Sequence, residues 1–252
     1  MPRKDTVSYC LDALKKAGAD KAVCSLNISE KKELNVEIGE MTLFRTTYNS
    51  SMGMSVIKDQ KKGSTSINKT DKDSIDVAVK QVIEMANGSQ PDKAYDIAEL
   101  QPHQVFSKGD ETANMDNMYK SLEEFLEYVK STYPQVQLEQ AILDFTHTQS
   151  IFQNTNGVDF EINKGLYMFS PMFTAKEGKD TSSFNYTGFY AQNINKPLHK
   201  YAMIEQLLRE TEEQVRTLPV PDKFVGDIIV TPDCLGYFLS MVENYISDMM
   251  II

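Results

Sequence analysis

The residues best suited to general catalysis are scattered through this sequence. The three histidines, His103, His147 and His199, stand alone, and none has a second histidine or an acidic residue at the spacing of a metal site. The sequence also lacks the Gly-x-Ser-x-Gly motif of serine hydrolases and a phosphate-binding loop of the Walker type. These residue types therefore predict no catalytic centre of a familiar kind.

An asparagine-rich stretch, residues 153–157, is the more informative polar motif. Asn156-Gly157 is typical of a two-residue type I′ hairpin turn, in which both central residues need positive φ. A second interpretation stays open, because side-chain amides can both donate to and accept from an extended peptide backbone. We therefore keep Asn154, Asn156 and Gly157 as candidate peptide-binding residues, beside a sheet edge that could add a strand.

The elements that would position these residues occur in a repeated order. Residues 1–88 predict a helix, several strands and a second helix, the last with Ile75, Val79, Val82 and Ile83 on one face. Residues 22–28 and 34–38 alternate apolar and polar side chains, as half-buried strands do. The charged run at residues 30–33 is interpreted as a hairpin connection between them.

The same order returns after a stretch without periodicity. Residues 89–113 predict a linker, and residues 114–218 predict helix, strands and helix again, with the last helix over about 198–217. The fold class is therefore α+β, with two related units, each an antiparallel sheet flanked by helices.

The segment 219–252 lies outside both units. The apolar run at residues 228–230 predicts a buried strand, and Thr231-Pro232 ends it. The following helix would bury one apolar face. This face consists of Leu235, Phe238, Leu239, Val242, Ile246 and Met249. We expect this segment to begin a further domain, because the sequence ends on apolar residues without a helix stop.

Composition limits the classes of partner. The chain has 252 residues, a net charge of −10 and a pI of about 4.9, which argues against nucleic acid or an anionic membrane as the main partner. No apolar run approaches the length of a membrane span. The three cysteines, Cys10, Cys24 and Cys234, are widely spaced and have apolar neighbours, so we expect reduced core residues of a cytoplasmic protein.

Three stretches together resemble the TldD/PmbA family, which is also described as modulators of DNA gyrase. Residues 51–64 resemble the early glycine-bounded hairpin of the family, although with fewer glycines and more serine and methionine. Residues 153–158 resemble its Asn-Ser/Thr-x-Gly segment, and residues 227–233 resemble its apolar strand with a proline turn. The stretches occur in the family's order along nearly the whole chain.

The resemblance implies a cytoplasmic peptide-processing metalloprotease of paired subunits. One subunit carries zinc on a helix through a His-Glu-x-x-x-His motif. On this chain the motif falls on residues 240–245, where Ser240 and Tyr245 occupy the histidine positions and Met241 occupies the acid position. The resemblance therefore implies the PmbA-type (TldE) subunit, without a catalytic residue or cofactor of its own and with zinc in a TldD-like partner.

Two other functions stay open at this point. The chain could be a peptide hydrolase in its own right, with a site that the sequence does not reveal. It could also be a binding module that regulates another protein, such as a toxin–antitoxin component or DNA gyrase. For the PmbA-type subunit interpretation, the expected ligand is an unfolded or extended peptide. The resemblance further implies that family members continue for another domain beyond residue 252.

Overall fold

The computed structural model describes residues 2–219, 222–223 and 225–247. Residues 1–216 form one compact unit, and residues 217–252 form a second. The helices of the described residues are α1 (Arg3–Lys16), α2 (Lys72–Gly88), α3 (Met115–Thr132), α4 (Ile204–Glu213) and α5 (Pro232–Ile246), with a 3₁₀ turn at Leu198–Lys200. The strands are β1 (Lys21–Glu37), β2 (Glu40–Lys58), β3 (Lys61–Ile67), β4 (Gln104–Lys108), β5 (Val136–Asn154), β6 (Asp159–Glu177), β7 (Asp180–Thr181), β8 (Asn185–Tyr186) and β9 (Phe189–Ala191).

The α+β class is confirmed, but the two predicted units share one sheet. The strands lie in the order β3-β2-β1-β5-β6-β4, and β7, β8 and β9 also pair with β6. The pairing is antiparallel except between β4 and β6. Since β1 and β5 pair from Val23 with Asn154 to Glu37 with Gln140, they join the first half of the chain to the second.

The predicted hairpin connection at residues 30–33 is wrong. These residues lie in the middle of β1, where Glu30 pairs with Tyr48 of β2 and with His147 of β5. The true connection to β2 is the two-residue turn Ile38-Gly39, with φ of 52° and 77°. Positive φ at both positions is typical of a type I′ turn, and a second such turn at Asp59-Gln60, with φ of 52° and 61°, joins β2 to β3.

The helices α1–α4 pack on one face of the sheet. One core lies under α1 and α2, where Cys24, Met52 and Ile75 are fully buried or nearly so. A second core lies under α3 and α4, where Phe125, Phe145 and Phe169 are buried. The β1 residues that enter the two cores, such as Cys24 and Leu34, have even numbers and so point to the same side. The prediction of a sheet flanked by helices is confirmed.

The linker is more ordered than the sequence predicted. Its residues 104–108 form β4, and the next residues cross β6 in direct backbone contact. A Cβ atom on Gly109 would lie 2.1 Å from the Gly165 carbonyl oxygen, and one on Gly165 would lie 1.8 Å from the Asp110 carbonyl oxygen. Two glycines therefore permit this crossing.

Three further predictions are corrected. The helix expected over residues 198–217 is interrupted, because Ala202 and Met203 have φ of 45° and 57°, and only α4 is α-helical. The predicted strand at residues 228–230 is not a strand. Cys10 and Cys24 are buried as expected, whereas Cys234 is exposed.

Candidate functional site

The asparagine-rich turn binds a backbone that belongs to the chain itself. The Asn154 amide donates to the Ala98 carbonyl at 2.7 Å, and the Asn156 amide donates to the same oxygen at 3.2 Å. The Asn154 side-chain oxygen also accepts from the backbone N–H groups of Asn156 and Val158, both at 3.0 Å. These amides therefore hold the linker, and their binding of a separate peptide stays a prediction.

The turn between β5 and β6 is wider than a type I′ hairpin. β5 ends at Asn154 and β6 begins at Asp159, so four residues connect them. Gly157 has a φ of 93°, but Asn156 does not have positive φ. Asn154 is only 2% exposed. The turn is shaped by this buried asparagine, which replaces the missing strand partners of two backbone N–H groups.

The three histidines lie on separate elements. The His103 Nδ1 atom is 2.8 Å from the Asp159 carbonyl oxygen, at the start of β6. His199 stacks on Tyr128 with ring centroids 3.7 Å apart, and burial lowers its pKa. His147 lies on β5, and its Nε2 atom is buried without a hydrogen-bond partner among the described residues. No group of three potential metal-ligating side chains occurs in the described part of the chain.

Helix α5 carries Ser240, Met241 and Tyr245, the three positions on which the family resemblance places the zinc motif. Ser240 donates its hydroxyl to the Tyr237 carbonyl at 2.8 Å, one turn back on the same helix. Met241 and Tyr245 are 53% and 68% exposed. A serine, a methionine and a tyrosine do not form a zinc-binding set of imidazoles, thiolates and carboxylates. The donor chemistry of these positions therefore does not fit zinc.

The predicted buried face of α5 is wrong in the described structure. Leu235, Phe238, Leu239 and Val242 are between 46% and 54% exposed. Ile246 is 67% exposed, and Met249 lies outside the described residues. The apolar stripe exists at helical spacing, but its side chains remain about half in contact with solvent.

The sheet face opposite the helices carries a group of charges that sequence reasoning missed. Glu33 of β1 and Asp144 of β5 are 2% and 3% exposed. The Lys31 Nζ atom lies 3.0 Å from a Glu33 carboxylate oxygen and 2.9 Å from one of Asp144. Arg45 of β2 contacts the other Glu33 oxygen at 2.9 Å. The signal available in the sequence is the run Glu30-Lys31-Lys32-Glu33, which in a strand places one acid and one base on each face.

The two acids of this group respond differently to burial. Burial opposes the charge of Glu33, but Lys31 and Arg45 outweigh it and lower the pKa of that carboxyl group. Burial raises the pKa of Asp144, and the contact with Lys31 offsets this only in part. Charges of both signs are thus held together, which makes the group a neutral cluster rather than an acid–base pair.

The rest of this face becomes apolar toward β4. Phe152, Phe160, Ile162 and Phe106 share the face, since Phe152 pairs with Phe160 and Phe106 pairs with Ile162. The rings of Phe106 and Phe160 are 5.9 Å apart, edge to face. Phe106 is 47% exposed and Ile162 is 38% exposed. Within residues 2–216 no described helix packs on this side of the sheet.

Comparison with known protein families finds a match in the first part of the chain. The sequence model of PmbA/TldA metallopeptidase domain 1 matches residues 24–86, which run from β1 almost to the end of α2. These residues are therefore similar to the first domain of that family. No curated protein matches the sequence.

Several solved structures share the fold of the chain. The TldE structure from Thermococcus kodakarensis has a TM-score of 0.66 at 14% identity, over 83% of this chain and 47% of its own. A proposed modulator of DNA gyrase from Bacteroides thetaiotaomicron has a TM-score of 0.68 at 16% identity, over 82% of this chain and 49% of its own. A second one, from Thermotoga maritima, has a TM-score of 0.56 at 14% identity, over 85% and 49%. The chain therefore spans about half the length of these structures.

Proposed function

We propose that the chain is a PmbA/TldE-type subunit that acts with a zinc-bearing TldD-like subunit in the processing or degradation of peptides. The feature that carries this proposal is the chemistry of α5, because the resemblance places the His-Glu-x-x-x-His motif on residues 240–245 and Ser240, Met241 and Tyr245 stand at its ligand and acid positions. The fold shared with TldE is consistent with it. Zinc would be bound by the partner subunit and not by these residues.

The contribution of this chain would be to hold the substrate. An extended peptide can add to a free sheet edge through backbone hydrogen bonds, and it needs no catalytic side chain from the surface that holds it. The large sheet of residues 2–216 offers long strands for this purpose. A cytoplasmic location belongs to the same proposal. No helix in the described residues has the length and apolar character needed to cross a bilayer.

Reconstitution tests the proposal. The chain and a TldD-like subunit would be purified separately and together, and cleavage of a quenched fluorescent unfolded peptide would be measured. We expect cleavage only in the mixture, with loss on addition of EDTA and recovery on addition of zinc. Cleavage by this chain alone with the same EDTA sensitivity, or stoichiometric zinc in the purified chain, would instead favour a hydrolase in its own right.

The regulatory alternative needs a separate measurement. Two similar structures carry the description of a DNA gyrase modulator, which supports a binding module as the second candidate function. Affinity purification from the native cell distinguishes the two. Recovery of a TldD-like subunit supports the protease assembly, whereas recovery of gyrase or of an antitoxin without such a subunit supports regulation.

A further inference from the structure

The strand β2 has a long edge without a partner strand. β1 pairs with β2 over almost its whole length, but on the other side β3 pairs only with residues 52–58. Residues 40–51 therefore have one edge to which no strand of the described residues is paired. Twelve residues of strand extend over about 40 Å and direct about half of their backbone N–H and C=O groups outward. None of these residues is buried.

Large apolar side chains line this edge on both sides. Phe44 and Tyr48 are 61% and 72% exposed, and their even numbers place them on the helix-bearing side of the sheet. Leu43 is 40% exposed and points to the opposite side. A strand added here would therefore contact two large apolar side chains, Phe44 and Tyr48, on one of its faces and Leu43 on the other.

The edge lacks the usual protection against added strands. Sheet edges are commonly protected by lysine, by proline, by short strands or by a covering segment. Residues 40–51 contain neither lysine nor proline, and their one cation, Arg45, contacts Glu33. The other edges differ, because β4 has only five residues and β3 forms a bridge from Lys61 to Pro91. Among the strands of the described residues, β2 therefore has the long unpaired edge.

Open grooves adjoin both ends of this edge. A groove of about 630 Å³ includes Ser51 together with Ile67, the last residue of β3. Another, of about 890 Å³, includes Glu40 together with Ile38 and Gly39 of the preceding turn. A strand added along residues 40–51 would continue the line of β3. It would have room at each end for residues that do not pair.

The charge of the chain distinguishes between the two molecules that could bind at this edge, an extended peptide and a second copy of the chain. The chain carries a net charge of −10, so two copies would repel each other at an edge contact. The same charge attracts a cationic peptide and does not repel a neutral one. Glu40 lies at one end of the edge and lines the larger groove with Glu123 and Glu127, whereas Lys130 and Lys176 are the cations there. An extended peptide is therefore favoured over a second copy.

We infer that residues 40–51 of β2 bind an extended peptide by strand addition, and that the preferred peptide is neutral or cationic with apolar residues at alternate positions. This inference deepens the proposed function by assigning a place to the peptide. It concerns binding by the chain alone, so a failed reconstitution with a TldD-like subunit would leave it intact.

Binding of defined peptides tests the inference. The probe is a fluorescein-labelled peptide of about twelve residues that repeats Lys-Val-Thr-Val, matched to the length of the edge. Fluorescence anisotropy should show saturable binding to the full chain. A peptide of the same sequence with every backbone nitrogen methylated cannot donate to a sheet and should not bind. A Glu-Val-Thr-Val peptide should bind at least about tenfold more weakly.

Matched variants locate the binding. The double variant Phe44→Ala and Tyr48→Ala should lower the affinity at least about tenfold. The control, Val105→Ala and Phe106→Ala, removes similarly exposed side chains at β4 and should bind as the parent chain does. Hydrogen exchange with bound peptide should slow in residues 40–51 and not in residues 104–108.

Several results would overturn the inference. These are equal binding of the methylated peptide, unchanged affinity of the β2 variant, or protection confined to β4. Analytical ultracentrifugation tests the alternative, in which a second copy of the chain occupies this edge. A dimer that protects residues 40–51 without any peptide would assign this edge to a second copy of the chain.

Discussion

Glu33 and Asp144 lie directly opposite each other on β1 and β5, and both carboxylates contact the ammonium group of Lys31. Like charges opposite each other in a sheet destabilise it, and burial adds a desolvation cost for each. Lys31, which is about one third exposed, compensates for both at distances of 3.0 and 2.9 Å. The stability of the centre of the shared sheet therefore depends on one lysine.

The first prediction follows from this arrangement. Replacing Lys31 by Met leaves two buried carboxylates with only Arg45 nearby, and we expect the free energy of unfolding to fall by about 3 kcal/mol. The control is Lys32→Met, because Lys32 points to the opposite side of β1 and its ion pair among the described residues is with the more exposed Glu30, at 3.4 Å. Urea unfolding should show a loss of less than about 1 kcal/mol for the control. Equal losses in the two variants would contradict the argument.

The second prediction concerns pH. Since burial raises the pKa of Asp144 above its ordinary value of 3.8, its charge costs stability as pH rises through that raised pKa. The lowered pKa of Glu33 has the opposite sign, because its contribution is present above 4.5 and is lost as pH falls through the lowered pKa. Relative to the parent chain, Asp144→Asn should therefore gain stability with rising pH, and Glu33→Gln should lose it.

Urea titrations at a series of acidic and neutral pH values measure both differences. The two variants are each other's controls, since they remove one charge each from the same cluster. Parallel stability curves for the two variants across this pH range would show that the acids do not titrate in opposite directions.

The charge cluster also explains which part of the fold could be predicted from sequence. Alternating apolar residues such as Cys24, Leu26, Leu34 and Val36 predicted strands correctly on either side of the cluster. The polar residues 30–33 alone predict a hairpin connection, because nothing in a single sequence shows that Glu33 will meet Lys31 and Asp144. The long-range pairing of β1 with β5 decides this, and it merges the two predicted units into one sheet.

The candidate site was predicted to a lesser extent. The amides of Asn154 and Asn156 bind the backbone carbonyl of Ala98, which lies in the linker, and the linker has no periodic pattern in the sequence. The charge cluster and the free edge of β2 were missed for one reason: both depend on which strands are neighbours, and composition and spacing do not specify this.

The third prediction tests the linker crossing. Gly165→Ala places a Cβ atom 1.8 Å from the Asp110 carbonyl oxygen, so the backbone of the linker must move. We expect a loss of about 1–3 kcal/mol in the free energy of unfolding, as for other overpacked positions. Gly88→Ala is the control, because no atom lies within 4 Å of its added Cβ. Urea unfolding should leave the control unchanged or slightly stabilised, and an unchanged Gly165 variant would contradict the close crossing.

The fourth prediction concerns α5. Phe238 is 54% exposed, so Phe238→Ala should lower stability by less than about 1 kcal/mol rather than by the amount typical of a buried core residue. Phe169→Ala is the comparison, since Phe169 is fully buried beside Phe125 and should cost about 3–5 kcal/mol. Thermal unfolding followed by circular dichroism measures both. A loss at Phe238 as large as that at Phe169 would show that this helix face is covered.

The last prediction separates the two roles considered for the asparagine-rich turn. Asn154→Ala removes two bonds to backbone N–H groups and one to the Ala98 carbonyl, all at a residue that is 2% exposed. Unsatisfied buried groups cost about 1–3 kcal/mol each, so we expect a loss of at least about 2 kcal/mol and faster hydrogen exchange in the linker near Ala98. Asn156→Ala, which loses only the 3.2 Å contact, should cost less than about 1 kcal/mol. If the turn acts only through the linker, Asn156→Ala should bind the Lys-Val-Thr-Val peptide as the parent chain does. A weaker affinity of this stable variant would instead support the predicted peptide-binding role of these amides.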